Sequence, residues 1–99
     1  MCGAPDQATL PALEVPATEA VLHGTVVRGG DVVGGAYVRL IGSTGEFTAE
    51  VQTSATGYFR FYAAAGDWSF RVLAPGRTAD AVATAVRGQA VEVTVELPA

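Results

Sequence analysis

Four sets of residues in this 99-residue chain have side chains able to do chemistry. Cys2 carries the one thiol. If Met1 is removed, Cys2 offers both an amine and a thiolate nucleophile, whose reactivity depends on access and on the thiolate fraction. His23, the one imidazole, sits between Leu22 and Gly24 with no identifiable third residue to orient it, so it reads as an edge or surface histidine and not as a general base. Trp68 alternates with Phe70 and Val72, which makes it a core residue. An exposed Trp68 would instead be the platform of a small-molecule or carbohydrate-binding module. Tyr37, Arg39, Tyr58, Arg60, Tyr62 and Arg71 fall on the alternate, outward positions of three apolar segments. Tyr and Arg are the residue types that dominate protein–protein hot spots, so these six form a candidate partner-binding face if their segments share one sheet. The competing reading is a solvated face whose arginines pair with Glu50 across strands.

Composition narrows the classes around these candidates. The chain is 49% hydrophobic and 16% charged, has a net charge of −4, and contains neither Lys nor Asn. An acidic balance argues against nucleic acid or an anionic membrane as the main partner. A single Cys cannot form an intramolecular disulfide, and one Cys with one His falls short of the four protein ligands of a structural zinc site. No cofactor is expected. Gly29-Gly30, Gly34-Gly35 and Gly42-Ser43-Thr44-Gly45 are followed neither by Lys nor by a helix start, so they read as turns and not as phosphate loops. The first residues have no basic, apolar leader and no apolar run approaches the ~20 residues of a spanning helix. The expected location is therefore cytoplasmic, with a reduced thiol and no membrane partner. The oligomeric state is left open by the sequence.

Two parts of the chain must position these residues. Residues 1–18 hold three of the five prolines (Pro5, Pro11, Pro16) and read as a Pro-rich N-terminal tail or strap, with Leu10, Leu13 and Val15 available to pin it. Residues 19–99 read as one domain of short β runs divided by Gly-rich turns. The runs are Val21–Arg28, Ala36–Ile41, Phe47–Thr53, Tyr58–Ala63, Trp68–Leu73, Ala81–Val86 and Val91–Leu97. Period-two alternation places Ala36, Val38 and Leu40, Phe59 and Phe61, Trp68, Phe70 and Val72, and Val91, Val93, Val95 and Leu97 on buried faces. The alanines of Thr78–Val86 would also suit a short helix. Seven strands at near-regular spacing predict an all-β, antiparallel seven-stranded β-sandwich.

The blocks Leu22-His23-Gly24-Thr25-Val26, Gly35-Ala36-Tyr37-Val38, Thr56-Gly57-Tyr58-Phe59-Arg60-Phe61 and Ala65-Gly66-Asp67-Trp68 resemble the carboxypeptidase regulatory-like, transthyretin-like (prealbumin-like) domains over about Val21 to Leu97. This resemblance implies a prealbumin-like sandwich and is nearly silent on activity. Two enzymatic relatives of that sandwich are disfavoured. The hydroxyisourate hydrolases use several His residues and end in Tyr-Arg-Gly-Ser, whereas this chain has one His and ends Glu96-Leu97-Pro98-Ala99. The intradiol dioxygenases bind iron through two Tyr and two His.

A narrower resemblance rests on Met1-Cys2, Gly35-Ala36-Tyr37-Val38-Arg39-Leu40, the run from Ser43 to Val51 and the run from Ser54 to Phe61. These are similar to a family of small uncharacterised bacterial proteins typically encoded beside a rhodanese-type thiosulfate sulfurtransferase. The resemblance implies a link to sulfur metabolism and brings no catalytic residues with it. The leading expectation is a non-enzymatic accessory protein docking such a sulfurtransferase through the Tyr/Arg face. In that setting Cys2 becomes a candidate sulfur acceptor, taking sulfane sulfur from the enzyme's persulfide by thiolate attack.

Overall fold

The computed structural model describes residues 15–98. The expected tail therefore lies largely outside the described residues, and so does Cys2. The first described segment makes a reverse turn, with Glu19 N–H donating to the Pro16 carbonyl at 3.1 Å.

Eight strands follow: β1 (Ala20–Arg28), β2 (Asp31–Val32), β3 (Tyr37–Gly42), β4 (Phe47–Gln52), β5 (Tyr58–Ala63), β6 (Gly66–Ala74), β7 (Arg77–Ala85) and β8 (Ala90–Glu96). Seven correspond to the expected runs, and β2 is a two-residue strand closing the Gly29-Gly30 turn against Val27 and Arg28. The strands form two sheets. In one, β1 is flanked by β5 and β2 on one side and by β8 on the other; the second runs β4-β3-β6-β7. The molecule is an all-β sandwich.

Pairing is antiparallel in every pair except β1–β8, which is parallel over Val21–Val27 and Ala90–Glu96. Gly24 makes that pair possible. A Cβ at Gly24 would collide with the backbone carbonyl of Val93, its register partner, so only a residue without a side chain lets the two backbones approach this closely. The alanine-rich stretch is a strand, not a helix, and is longer than the alternation alone indicated. Pro75-Gly76 forms a two-residue hairpin loop that pairs Ala74 with Arg77, after which the register runs unshifted to Gly66↔Ala85.

The core lies between the sheets. Phe59, Phe61 and Phe70 form an aromatic cluster with ring centroids 5.5–6.1 Å apart. Leu22, Val26, Val38, Leu40, Val72 and Val95 surround it, all essentially inaccessible to solvent. Each comes from the inward half of an alternating strand, so the period-two pattern places the hydrophobic payload where burial is worth ~1.5–3 kcal/mol per large side chain. Trp68 packs against this core and is partly buried, its indole N–H donating to the Ala64 carbonyl at 2.8 Å.

Candidate functional site

The six Tyr and Arg residues do not share one face. β3 and β6 are neighbours, but β5 pairs with β1 in the opposite sheet. Tyr37, Arg39 and Arg71 therefore lie on the outside of one layer, and Tyr58, Arg60 and Tyr62 on the outside of the other. The corner at residues 53–57 causes the separation. Thr53 and Ser54 are buried there: Thr53 Oγ1 accepts the Ala36 N–H at 2.9 Å and donates to the Val33 carbonyl at 2.8 Å. Ser54 Oγ accepts the Tyr58 N–H at 3.2 Å, and the Val26 N–H donates to the Gly57 carbonyl at 2.9 Å. These bonds satisfy a buried backbone that leaves one sheet and enters the other. In the sequence the same residues look like an ordinary hairpin turn, because alternation reveals which side chains point outward but not from which layer.

On the β1/β5/β8 layer the register aligns Arg60 with His23, and His23 with Glu92. Tyr58 joins them. Its hydroxyl oxygen accepts the Arg60 Nε–H at 3.1 Å and lies 3.0 Å from His23 Nδ1. The Tyr58 hydroxyl thus bridges the Arg60 guanidinium and the His23 ring. Burial pushes the His23 imidazole below its usual value; Glu92 opposes the shift and Arg60 adds to it. The Arg60 guanidinium sits over the Tyr58 ring, 5.5 Å from its centroid, and the residue is only 9% exposed. Burial works against its charge, yet hydrogen bonds from Arg60 to the Tyr58 and Tyr62 side chains keep it above the ordinary guanidinium range. Arg60 is thus part of a packed polar network. His23, read from sequence as a bystander, is joined to Tyr58 in that network; the missed signal was its outward position opposite Arg60.

The β4-β3-β6-β7 layer is different. One row across its four strands reads Glu50, Arg39, Arg71, Asp80. Arg39 Nε meets Glu50 Oε2 at 2.7 Å and Arg71 Nε meets Asp80 Oδ1 at 3.0 Å, with all four side chains substantially exposed. The pairing of Arg39 with Glu50 matches the solvated-face reading; Asp80 is a partner that sequence reasoning missed. Beside this row the sheet exposes Phe47 (63%), Tyr37 (47%) and Val82 (78%). Near Val82, the side chains of Asp67, Ser69 and Thr84 border an open cleft of about 520 Å³ next to Trp68. Thr84 Oγ1 donates to Asp67 Oδ1 at 2.8 Å. Among the described residues no cluster of three or more His, Cys, Asp or Glu is placed to hold a metal ion. Nor is any helix among them long and apolar enough to cross a membrane.

Solved structures share this architecture at low identity. A DUF3823 family protein from Parabacteroides merdae superposes with a TM-score of 0.64 at 18% identity, over 83% of this chain and 47% of that one. GBS52, the minor pilin of Streptococcus agalactiae, gives 0.67 at 17% identity over 82% and 44%. The chain thus spans about half the length of these two proteins. A 3-chlorocatechol 1,2-dioxygenase from Rhodococcus opacus gives 0.61 at 11% identity, over 99% of this chain and 68% of that one. Identities this low speak to the β-sandwich fold alone. Two uncharacterized proteins of Mycobacterium tuberculosis, Rv0814c and Rv3118, are much nearer in sequence, each 54% identical over 84 residues that cover 83% of this chain and 84% of theirs. The family model described as "Protein of unknown function (DUF1416)" matches residues 2–97. The chain is a member of the DUF1416 family.

Proposed function

We propose that this protein is a non-enzymatic accessory protein of a thiosulfate sulfurtransferase, docking through the outer face of β4-β3-β6-β7. The observation that carries the reading is the exposure of Phe47, Tyr37 and Val82 around the Arg39 and Arg71 ion pairs. An aromatic and aliphatic surface edged by planar cations is the composition of protein–protein hot spots. The other Tyr/Arg face is less suited to docking, since Arg60 is buried within its own layer's network. The choice of partner rests on the resemblance of the Gly35–Leu40, Ser43–Val51 and Ser54–Phe61 blocks to proteins encoded beside such enzymes.

The test is titration of the purified chain with a purified thiosulfate sulfurtransferase from the same organism. A combined Tyr37→Ala, Phe47→Ala and Arg39→Glu variant should bind at least ~10-fold more weakly, while Tyr62→Ala on the opposite face binds as the parent does. Failure of the parent to bind overturns the partner, and unchanged binding by the triple variant overturns the face. Cys2→Ser should leave docking intact. A sulfur carrier would likewise keep its docking on that substitution but would lose labelled sulfur, because the acceptor thiolate is gone.

A further inference from the structure

Among the described residues β7 is an edge strand of the second sheet, with no strand paired on its outer side. Strand β7 is nine residues long, and its register against β6 runs without a shift. Exposed edges are ordinarily blunted by brevity, bulges, prolines or lysines, because a free row of N–H and C=O groups is a template for another strand. The opposite edge, β4, has six residues and a register shift at Leu40/Ile41. β7 has no such device: between its ends it carries only Thr, Ala, Val and Asp80, and Asp80 is already paired with Arg71.

The direction of its free groups follows from the hairpin. A two-residue loop makes Ala74 and Arg77 a pair that exchanges both backbone hydrogen bonds. Alternation then turns the N–H and C=O of Ala79, Ala81 and Ala83 toward β6. Those of Thr78, Asp80, Val82 and Thr84 turn outward, away from the sheet.

The sequence across this stretch is Thr78-Ala79-Asp80-Ala81-Val82-Ala83-Thr84, a palindrome apart from its Asp80/Val82 exchange. We propose that β7 pairs antiparallel with β7 of a second copy about a two-fold axis at Ala81, joining two four-stranded sheets into one of eight strands. In this register Thr78 lies opposite Thr84 of the second copy, and Asp80 opposite Val82. All four outward-directed residues of each strand then exchange hydrogen bonds, about eight in total. Ala79, Ala81 and Ala83 occupy the closely spaced pairs, where Cα atoms approach to about 4.5 Å and a small side chain fits best. Asp80 never faces its own copy. Shifting the axis to residue 80 would set two carboxylates opposite each other, so charge selects against that register. A closed two-fold interface of this kind uses up the edge and stops at two copies.

Sedimentation velocity over a wide concentration range, combined with amide hydrogen exchange, tests the proposal. The parent chain should sediment as a dimer that dissociates on dilution. Amides of Thr78, Asp80 and Val82 should be protected in the dimer and exposed in the monomer, whereas Ala79, Ala81 and Ala83 stay protected in both. Val82→Pro should sediment as a monomer at every concentration, with the thermal unfolding midpoint that the parent shows at dilutions where it is monomeric. The lost N–H points away from β6, and proline is tolerated on that side of an edge strand. Ala81→Pro, which removes a bond to β6 itself, should destabilise the single chain. A parent that stays monomeric, or a folded Val82→Pro variant that stays dimeric, overturns the proposal.

Discussion

The two outer faces of the sandwich carry the same residue types at the same alternating spacing and use them in opposite ways. On the β1/β5/β8 layer, Arg60 has its guanidinium over the Tyr58 ring and donates to the phenol oxygen, which contacts His23. On the β4-β3-β6-β7 layer, Arg39 and Arg71 reach into solvent and each meets one carboxylate. The difference comes from cross-strand neighbours. Arg60 stands opposite a histidine and two positions from tyrosines on either side, and its guanidinium donates to tyrosine oxygens within the layer. Arg39 stands opposite Glu50 and Arg71 opposite Asp80, so each charge is cancelled locally at the surface. An arginine in a strand is therefore a packing residue or a surface residue according to what the register brings beside it.

Substitutions that remove one network and spare the other test this contrast. The largest effect is expected for Arg60→Ala, which removes a buried cation and its hydrogen bonds. Chemical denaturation should show a loss of about 2–3 kcal/mol. Tyr58→Phe keeps the ring under the guanidinium but deletes the oxygen shared by Arg60 and His23, and should cost about 1 kcal/mol. Arg39→Ala and Arg71→Ala break exposed pairs and should each cost at most about 1 kcal/mol, with the difference shrinking in high salt. An Arg39→Ala loss as large as that of Arg60→Ala would erase the distinction between the faces.

The burial of His23 also predicts a pH dependence. The folded-state pKa of His23 lies below its unfolded value, so between the two the unfolded chain binds more protons. The stabilisation is complete above the unfolded value of about 6.5 and is lost as pH falls through the folded value. The urea midpoint of the parent should drop over this acidic window, and that of His23→Gln should drop less. Equal slopes for the two would show that burial does not lower the His23 pKa in the folded chain.

Much of this arrangement can be read without coordinates. Phe59 and Phe61, Phe70 and Val72, and Val93 and Val95 announce their buried side by alternation alone, and Pro75-Gly76 marks the turn into β7. Other features are invisible locally. Nothing in the Thr53–Gly57 stretch says that the chain changes layer there, and the alanines of β7 satisfy helix and strand propensity almost equally. The parallel β1–β8 pair brings Gly24 against Val93, a contact between residues 69 positions apart in the chain. Cys2 lies outside the described residues, so the proposal that it accepts sulfur rests on thiol chemistry and on the sequence resemblance alone.

By itself the sequence determined the all-β class, the strand-by-strand choice of buried side chains and the positions of most turns, because these follow from short-range sterics and a two-residue period. Only the tertiary structure decided which strands are neighbours. That choice depends on packing two apolar faces against each other and on satisfying every buried backbone group at the corners, both properties of residues distant in the chain. It divided one expected Tyr/Arg face into a packed His23/Tyr58/Arg60 network and an exposed, ion-paired surface, and it left β7 at an edge, where its near-palindromic sequence can meet a second copy.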